Sequence, residues 1–129
     1  MKYLLDTNAV IALMKGRPGF LNQLRQRQPR DFGVPAIVMS ELFYGAHKGR
    51  RTVENLARLD ELQFEVLDFD REDARLAGEL RATLEAAGTP IGGYDVLIAG
   101  QALARGLILI THNTREFERA PALRIEDWE

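Results

Sequence analysis

Residues 1–10, MKYLLDTNAV, decide the architecture. Tyr3, Leu4 and Leu5 form a short apolar run that predicts a buried strand, and an acid, Asp6, follows directly. Apolar residues then resume at helical spacing up to Gly16, which predicts a helix after the strand. Asp6 therefore lies at a strand-to-helix junction, where an aspartate either caps the helix or belongs to a site.

The same alternation of strand and helix patterns continues along the chain. Further strands are predicted at DFGVPA (31–36), FEVLDF (64–69) and LILITHN (107–113), and helical patterns separate them. Right-handed crossovers between such strands favour a parallel sheet with helices on both faces, so the predicted fold class is α/β. With 129 residues, the chain is expected to form one domain spanning 1–129.

Two of the predicted helices are apolar on nearly every side. They are IVMSELFYGAHKG (37–49) and DVLIAGQALARG (95–106), and each ends at a glycine. A helix without a clear polar face is expected to be buried.

Composition and charge exclude several classes of protein. The chain is 46% hydrophobic and 28% charged, has no cysteine, and carries a net charge of -2. It has no thiolate metal site or disulfide, no apolar run that could span a bilayer and no secretory signal pattern, so we expect a cytoplasmic protein without a membrane role. The basic runs RQRQPR (25–30) and HKGRR (47–51) are either solvated surface or phosphate contacts.

Four acids stand out from their surroundings. Asp6 follows the first strand, Glu41 lies in a nearly all-apolar helix, and Asp95 begins another. Glu116 lies three residues after Asn113, which itself follows the last predicted strand. Individually, Asp6 and Asp95 have ordinary explanations as a helix cap and a first-turn acid, and Glu116 as a surface charge. Glu41 is harder to explain, because a buried carboxylate without a partner is costly.

Together, the four acids predict a metal site. If strand ends and buried helices converge, the carboxylates share a small volume, and their repulsion raises their pKa values unless a cation is present. A ligand set made of oxygen atoms favours Mg²⁺ or Mn²⁺. Such ions typically serve phosphoryl chemistry, so the expected substrate is a phosphodiester or a phosphate.

Polar side chains next to the acids admit two interpretations. Thr7, Asn8, Thr111 and Asn113 could orient metal ligands or water from outside the first coordination sphere, or they could simply form turns after the strands.

With these residues in view, the sequence resembles the PIN-domain ribonucleases, and among them the VapC-type toxins of bacterial type II toxin–antitoxin pairs. The resemblance runs through LLDTN (4–8), SELFYGA (40–46) and the long C-terminal block IGGYDVLIAGQALARGLILITHNTREFERAPALRIEDW (91–128). It implies a three-layer α/β/α sandwich with a central parallel sheet and an endoribonuclease activity that depends on Mg²⁺ or Mn²⁺.

The resemblance also implies roles for particular residues. The four acids of the family fall on Asp6, Glu41, Asp95 and Glu116, which are the expected metal ligands. The hydroxyl beside the first acid falls on Thr7, and the asparagine after the last core strand falls on Asn113. Many members have aspartate at the fourth acid, so the longer Glu116 is expected to reach the metal through water.

Substrate and partners follow from the resemblance in the same way. The members that share IAG and NTREFER resemble toxins that cut initiator tRNA in its anticodon loop. Family members commonly form homodimers. A cognate VapB-type antitoxin neutralises them by laying its C-terminal tail across the active-site groove.

Three alternatives are weaker. A phospho-receiver domain needs paired acids after the first strand and a lysine after the last, and this chain has neither. A haloacid-dehalogenase-like phosphatase needs a second aspartate where Asn8 stands. A degenerate PIN domain that only binds proteins stays open by fold, although the presence of all four acids counts against it.

Overall fold

A parallel sheet forms the centre of the molecule, and the computed structural model describes residues 1–129. Its strands are β1 (Tyr3–Leu5), β2 (Phe32–Pro35), β3 (Glu65–Leu67), β4 (Ile108–Ile110) and β5 (Ile125–Glu126). Their order across the sheet is β3-β2-β1-β4-β5, and every pairing is parallel. The predicted α/β class and parallel sheet are confirmed.

Seven helices flank the sheet. They are α1 (Thr7–Met14), α2 (Pro18–Arg25), α3 (Ala36–Lys48), α4 (Thr52–Asp60), α5 (Arg71–Ala86), α6 (Gly93–Arg105) and α7 (Thr114–Phe117). The strand order moves outward from β1 to β3 and then returns to β4, so right-handed crossovers place α1–α4 on one face and α5 and α6 on the other. This is the three-layer α/β/α arrangement. None of the helices combines the length and apolar character that crossing a membrane requires.

The first strand occupies the middle of the sheet, as its composition requires. Tyr3, Leu4 and Leu5 are all buried, and β1 pairs with β2 on one side and β4 on the other. Strands covered on both faces read as unbroken apolar runs, which is why this segment and LILI (107–110) were predictable. The carboxyl ends of β1 and β4 therefore lie side by side, and Asp6 and Thr111 follow them.

Helix α3 is less buried than its composition predicts. One face, which includes Val38 and Leu42, packs into the core, but Phe43 is 37% exposed and Tyr44 is 65% exposed. Glu41 lies at the boundary between these faces and is half-buried. The expectation of a buried helix was therefore wrong for Phe43 and Tyr44. Aromatic residues make the sequence of a helix more apolar, but the sequence does not show whether their side chains face the core or the solvent.

One arginine of the first basic run, Arg27, is engaged in internal packing. Arg27 donates from Nε to the Tyr3 hydroxyl at 2.9 Å, and its guanidinium lies 5.0 Å from the Tyr3 ring centroid and 4.6 Å from that of Trp128. This cation–π contact ties the turn after α2 to the C-terminal segment. Arg25 and Arg30 are exposed.

Helices α5 and α6 pack unusually closely. A Cβ added to Gly100 would stand 2.5 Å from the Cα and Cβ atoms of Ala77, so only glycine fits this crossing. Near the same interface, the buried Asp73 carboxylate accepts hydrogen bonds from Gln101 and Arg105. Burial disfavours the charged form of Asp73, but these bonds and the helix-cap bond with Asp70 hold its pKa below the usual value. Close packing against α5 thus fixes the position of α6, the helix that carries Asp95.

Candidate active site

Asp6 is both a helix cap and a buried acid at the carboxyl edge of the sheet. Its Oδ1 accepts a hydrogen bond from the Ala9 N–H at 2.8 Å, and only 4% of the residue is exposed. Burial raises its pKa to about 6, with smaller contributions from the negative charges of Glu129 and Glu41, while hydrogen bonds from Thr111 and Ala9 act in the opposite direction. An aspartate that only capped a helix at the surface would not be buried in this way. Asp6 is therefore both a helix cap and a candidate site residue.

Asp95 lies in the first turn of α6 and is half-buried. Its pKa is raised to about 7, first by burial and then by the neighbouring Glu116, with weaker contributions from Asp6 and Glu41. The charges of neighbouring carboxylates therefore add to the effect of burial on Asp95.

Glu116 is held firmly by its neighbours. Its Oε1 accepts a hydrogen bond from the Gly92 N–H at 2.5 Å, and its Oε2 accepts one from Asn113 Nδ2 at 2.8 Å. The Gly92 bond, supported by the Asn113 bond, holds the pKa of Glu116 below its usual value, although burial opposes this. Asp95 donates to Glu116 when it is protonated. Glu116 therefore links α7 to the loop that opens α6.

Glu41 faces the site from α3 without a charged partner. It makes no salt bridge, and it lines a cleft of about 310 Å³ together with Thr7. Lys15 and Arg58 line the same cleft. The cost expected for a buried Glu41 carboxylate is reduced, because the residue is only half-buried.

The polar neighbours of the acids differ in their contacts. Thr7 Oγ1 is buried and has no hydrogen-bond partner, which is unusual for a hydroxyl group. Thr111 is buried and its Oγ1 accepts the Asn113 N–H at 3.0 Å, so these two residues form the turn after β4. Asn8 is exposed.

A tight group of possible metal ligands lies next to these acids and was missed. His112, Asp127 and Glu129 place ligand atoms within 4.8 Å of one another, a spacing that no three of the four predicted acids reach. His112 Nδ1 lies 3.0 Å from Asp127 Oδ2, and all three residues are exposed. The signal for this group was weak, because it depends on β5, a two-residue strand without an apolar pattern.

The predicted acids nevertheless fit a hard divalent cation. Their ligand atoms are carboxylate oxygens, with the unpartnered Thr7 hydroxyl nearby, and these are the donors that Mg²⁺ and Mn²⁺ prefer. The raised pKa values of Asp6 and Asp95 come first from burial and then from neighbouring acids, and a bound cation would favour the charged form of both groups. The wider spacing suits Mg²⁺, which keeps several waters between itself and protein ligands.

Fold and site together define the class: a three-layer α/β/α domain with carboxylates gathered at the carboxyl edge of a parallel sheet. Residues 3–123 match the family model of the PIN domain. The tRNA(fMet)-specific endonuclease VapC of Salmonella typhimurium is 42% identical over 99% of this chain and 98% of its own length. Ribonuclease VapC2 of Haemophilus influenzae is 39% identical over the same shares of the two chains.

Solved structures give the same answer. The DNA-bound VapBC crystal structure from Salmonella typhimurium matches with a TM-score of 0.94 and 42% identity, covering 100% of this chain and 99% of the other. VapBC2 of Rickettsia felis, bound to a DNA fragment from its promoter, matches with a TM-score of 0.92 and 35% identity over the full length of both chains. The chain belongs to the PIN-domain family, and within it to the VapC ribonucleases.

Proposed function

We propose that this chain is a Mg²⁺- or Mn²⁺-dependent endoribonuclease toxin that cuts tRNA and is neutralised by a VapB-type antitoxin. The observation that carries the proposal is the gathering of buried and half-buried acids at the carboxyl edge of the sheet, where burial first, and then the charges of neighbouring acids, raise the pKa values of Asp6 and Asp95. Such an arrangement costs free energy when the acids are charged, and a bound divalent cation would offset that cost.

The chain supplies oxygen donors from fixed positions. Asp6 is immobilised by its cap bond to Ala9, and Asp95 is held at the start of α6, so these two would bind the metal most directly. Glu41 would complete the site from α3. When bound, the divalent cation would supply the charge that activates a water molecule and stabilises the leaving oxygen of a phosphodiester.

The remaining residues orient these donors. Glu116 holds the Gly92 backbone at the start of α6, and Asn113 holds Glu116, so together they would fix the direction of Asp95. The Thr7 hydroxyl, which has no partner in the protein, is available to a water molecule or to a phosphate oxygen. No protein side chain is needed as the nucleophile.

The tRNA substrate is proposed from the relatives. The Salmonella and Shigella flexneri relatives are named tRNA(fMet)-specific endonucleases and are 42% and 39% identical to this chain over almost its full length. We extend that specificity to this chain, with cleavage in the anticodon loop of initiator tRNA in the cytoplasm.

An apolar groove supports the antitoxin as a partner. The groove lies between α1, α2 and α4, measures about 520 Å³, and is lined by Leu13, Leu24 and Phe64 among others. Met14 and Arg58 line both this groove and the cleft that holds Glu41. An amphipathic segment seated in the groove would lead its chain toward the acids, where a basic side chain would match their charge. We also propose a homodimer, as is common in the family.

The experiment is cleavage of defined RNAs by the purified chain, freed of antitoxin, in Mg²⁺. Initiator tRNA, an elongator tRNA and an unstructured mRNA fragment are compared, and the ends of the products are mapped by sequencing. We expect one cut within the anticodon loop of initiator tRNA, and slower cleavage of the other two. Equal cleavage of all three would disprove the tRNA specificity. If every RNA survives, the catalytically degenerate, protein-binding alternative replaces the nuclease.

A further inference from the structure

The outer side of α3 carries an aromatic and basic surface that the proposed chemistry does not use. Tyr44 and Lys48 follow Glu41 at intervals of three and four residues, so all three lie along one side of the helix. Arg50 and Arg51 continue the chain beyond the helix. We name Tyr44, Lys48, Arg50 and Arg51 the α3 ridge.

The aromatic member of the ridge is open to solvent. Tyr44 is 65% exposed, and the neighbouring Phe43 is 37% exposed. Lys48 Nζ lies 5.6 Å from the Tyr44 ring centroid, within the range of a cation–π contact, and this contact still leaves the ring largely exposed. A ring in this position offers a flat surface for stacking.

The basic members of the ridge have no acidic partners in the protein. Lys48, Arg50 and Arg51 are exposed, and none of them forms a salt bridge or a side-chain hydrogen bond with the rest of the chain. Elsewhere, Arg27 and Arg105 are engaged in internal contacts. Within a protein of net charge -2, three unpaired cations in four residues form a local anion-binding surface.

We propose that the α3 ridge binds single-stranded RNA next to the active site, with Tyr44 stacking on an unpaired base and Lys48, Arg50 and Arg51 contacting the phosphates that flank it. The proposal rests on the proposed nuclease function, since it places an RNA contact next to the catalytic acids. Glu41 and Lys48 are separated by seven residues of helix, about 10 Å. Cations interleaved with an exposed aromatic residue are typical of single-strand binding.

The test is the affinity of the full chain for a short, unstructured, fluorescein-labelled RNA, measured by fluorescence anisotropy in EDTA so that no cleavage occurs. Tyr44→Ala is expected to weaken binding roughly five- to a hundredfold, the effect of losing one stacked base, while Tyr44→Phe keeps the affinity. Lys48→Ala is expected to lower the slope of log affinity against log salt by about 0.7, the loss of one phosphate contact. The same RNA annealed into a duplex should bind more weakly, because its bases cannot reach the ring.

Two matched variants serve as controls. Val53→Ala removes an apolar side chain that is 82% exposed on α4, and Arg71→Ala removes an exposed cation at the start of α5. Neither should change the affinity or the salt slope. In Mg²⁺, Tyr44→Ala should raise KM for RNA with little change in kcat, because the ring is not placed among the reacting groups.

The outcomes separate this inference from the function on which it rests. If the wild-type chain binds and cuts RNA but Tyr44→Ala and Lys48→Ala behave like the controls, the α3 ridge is not an RNA site, although the nuclease stands. If Tyr44→Ala instead changes the molar mass found by light scattering while RNA affinity is unaltered, the ridge is an interface between copies of this chain. If the wild-type chain neither binds nor cuts RNA, both proposals are wrong.

Discussion

At the scale of the residue, Asp6 has two roles that a substitution can separate: it caps α1, and it supplies a negative charge to the proposed metal site. Asparagine caps a helix as well as aspartate does, so Asp6→Asn should keep the bond from the Ala9 N–H while losing the negative charge. Asp6→Ala loses both, and should lower the free energy of unfolding by about 1 kcal/mol. RNA cleavage should fall at least about a hundredfold in both variants, because a metal ligand is lost.

Urea denaturation and single-turnover cleavage check this prediction. The contradictory result is an Asp6→Asn variant that retains most of the cleavage rate, since Asp6 would then be a cap only.

The sequence singled out Glu116 as a candidate site acid, but it could not show which groups its carboxylate contacts. Its contact with the Gly92 N–H joins residues that are 24 apart in the sequence, and no local pattern reveals such a bond. Glutamine retains an oxygen that can accept this bond, so Glu116→Gln should reduce cleavage only about tenfold, whereas Glu116→Ala should approach a hundredfold. Comparing kcat of the two variants measures this. If kcat falls equally in Glu116→Gln and Glu116→Ala, and as far as in Asp6→Asn, Glu116 binds the metal directly.

At the scale of the element, the apolar pattern predicted β1 to β4, including the edge strand β3, but not the edge strand β5. β1 and β4 are covered on both faces and read as unbroken apolar runs. β5 has two residues and α7 has four, too short to show a period, so they were not predicted. The exposure of Tyr44 was not predicted either, because an apolar residue on a helix is not always buried.

The crossing of α5 and α6 gives a prediction with an internal control. Gly100→Ala places a methyl group 2.5 Å from Ala77, so the helices must move apart, and the free energy of unfolding should fall by about 1–3 kcal/mol. Gly78→Ala lies in α5 with nothing within 4 Å of the new methyl group, and should raise stability by up to about 1 kcal/mol. Thermal denaturation of both variants decides the matter. A Gly100→Ala variant as stable as the wild type would mean that the crossing is loosely packed.

At the scale of the whole molecule, fold class directs attention to one edge of the sheet, because ligands of parallel α/β sheets bind beyond the carboxyl ends of the strands. Asp6 follows β1 directly and so lies at this edge, whereas Glu41 and Asp95 reach it only if α3 and α6 pack so that they do. The separations between their oxygen atoms were not predictable, because they depend on side-chain directions and on the packing of α3 and α6. The group formed by His112, Asp127 and Glu129 depends in the same way on how the C-terminal segment returns to the sheet.

The acidic site should make the stability of the whole protein depend on pH and on metal. The pKa values of Asp6 and Asp95 are raised to about 6 and about 7 from an ordinary value of 3.8, so the folded protein holds protons that the unfolded chain has released. The stability contributed by these groups therefore falls as pH rises from about 4 through 7. Glu116 and Asp73, whose pKa values are lowered, act mainly below this window.

In EDTA we expect a Tm that is lower at about pH 8 than at about pH 5.5, and a smaller difference in Asp95→Asn. Mg²⁺ should raise the Tm more at the higher pH, where the acids are charged. Differential scanning calorimetry at the two pH values measures this. A Tm that Mg²⁺ leaves unchanged at both would argue against a metal site among these acids.

The central claim is that these carboxylates hold a metal that cuts RNA, and the most direct measurement is cleavage of purified bacterial tRNA by the chain freed of antitoxin. Three reactions are run side by side: wild type in Mg²⁺, wild type in EDTA, and Asp6→Asn in Mg²⁺. We predict discrete fragments in the first reaction and intact tRNA in the other two. Fragments that persist in EDTA or with Asp6→Asn would contradict the claim, because cleavage would then need neither the metal nor the acid proposed to bind it.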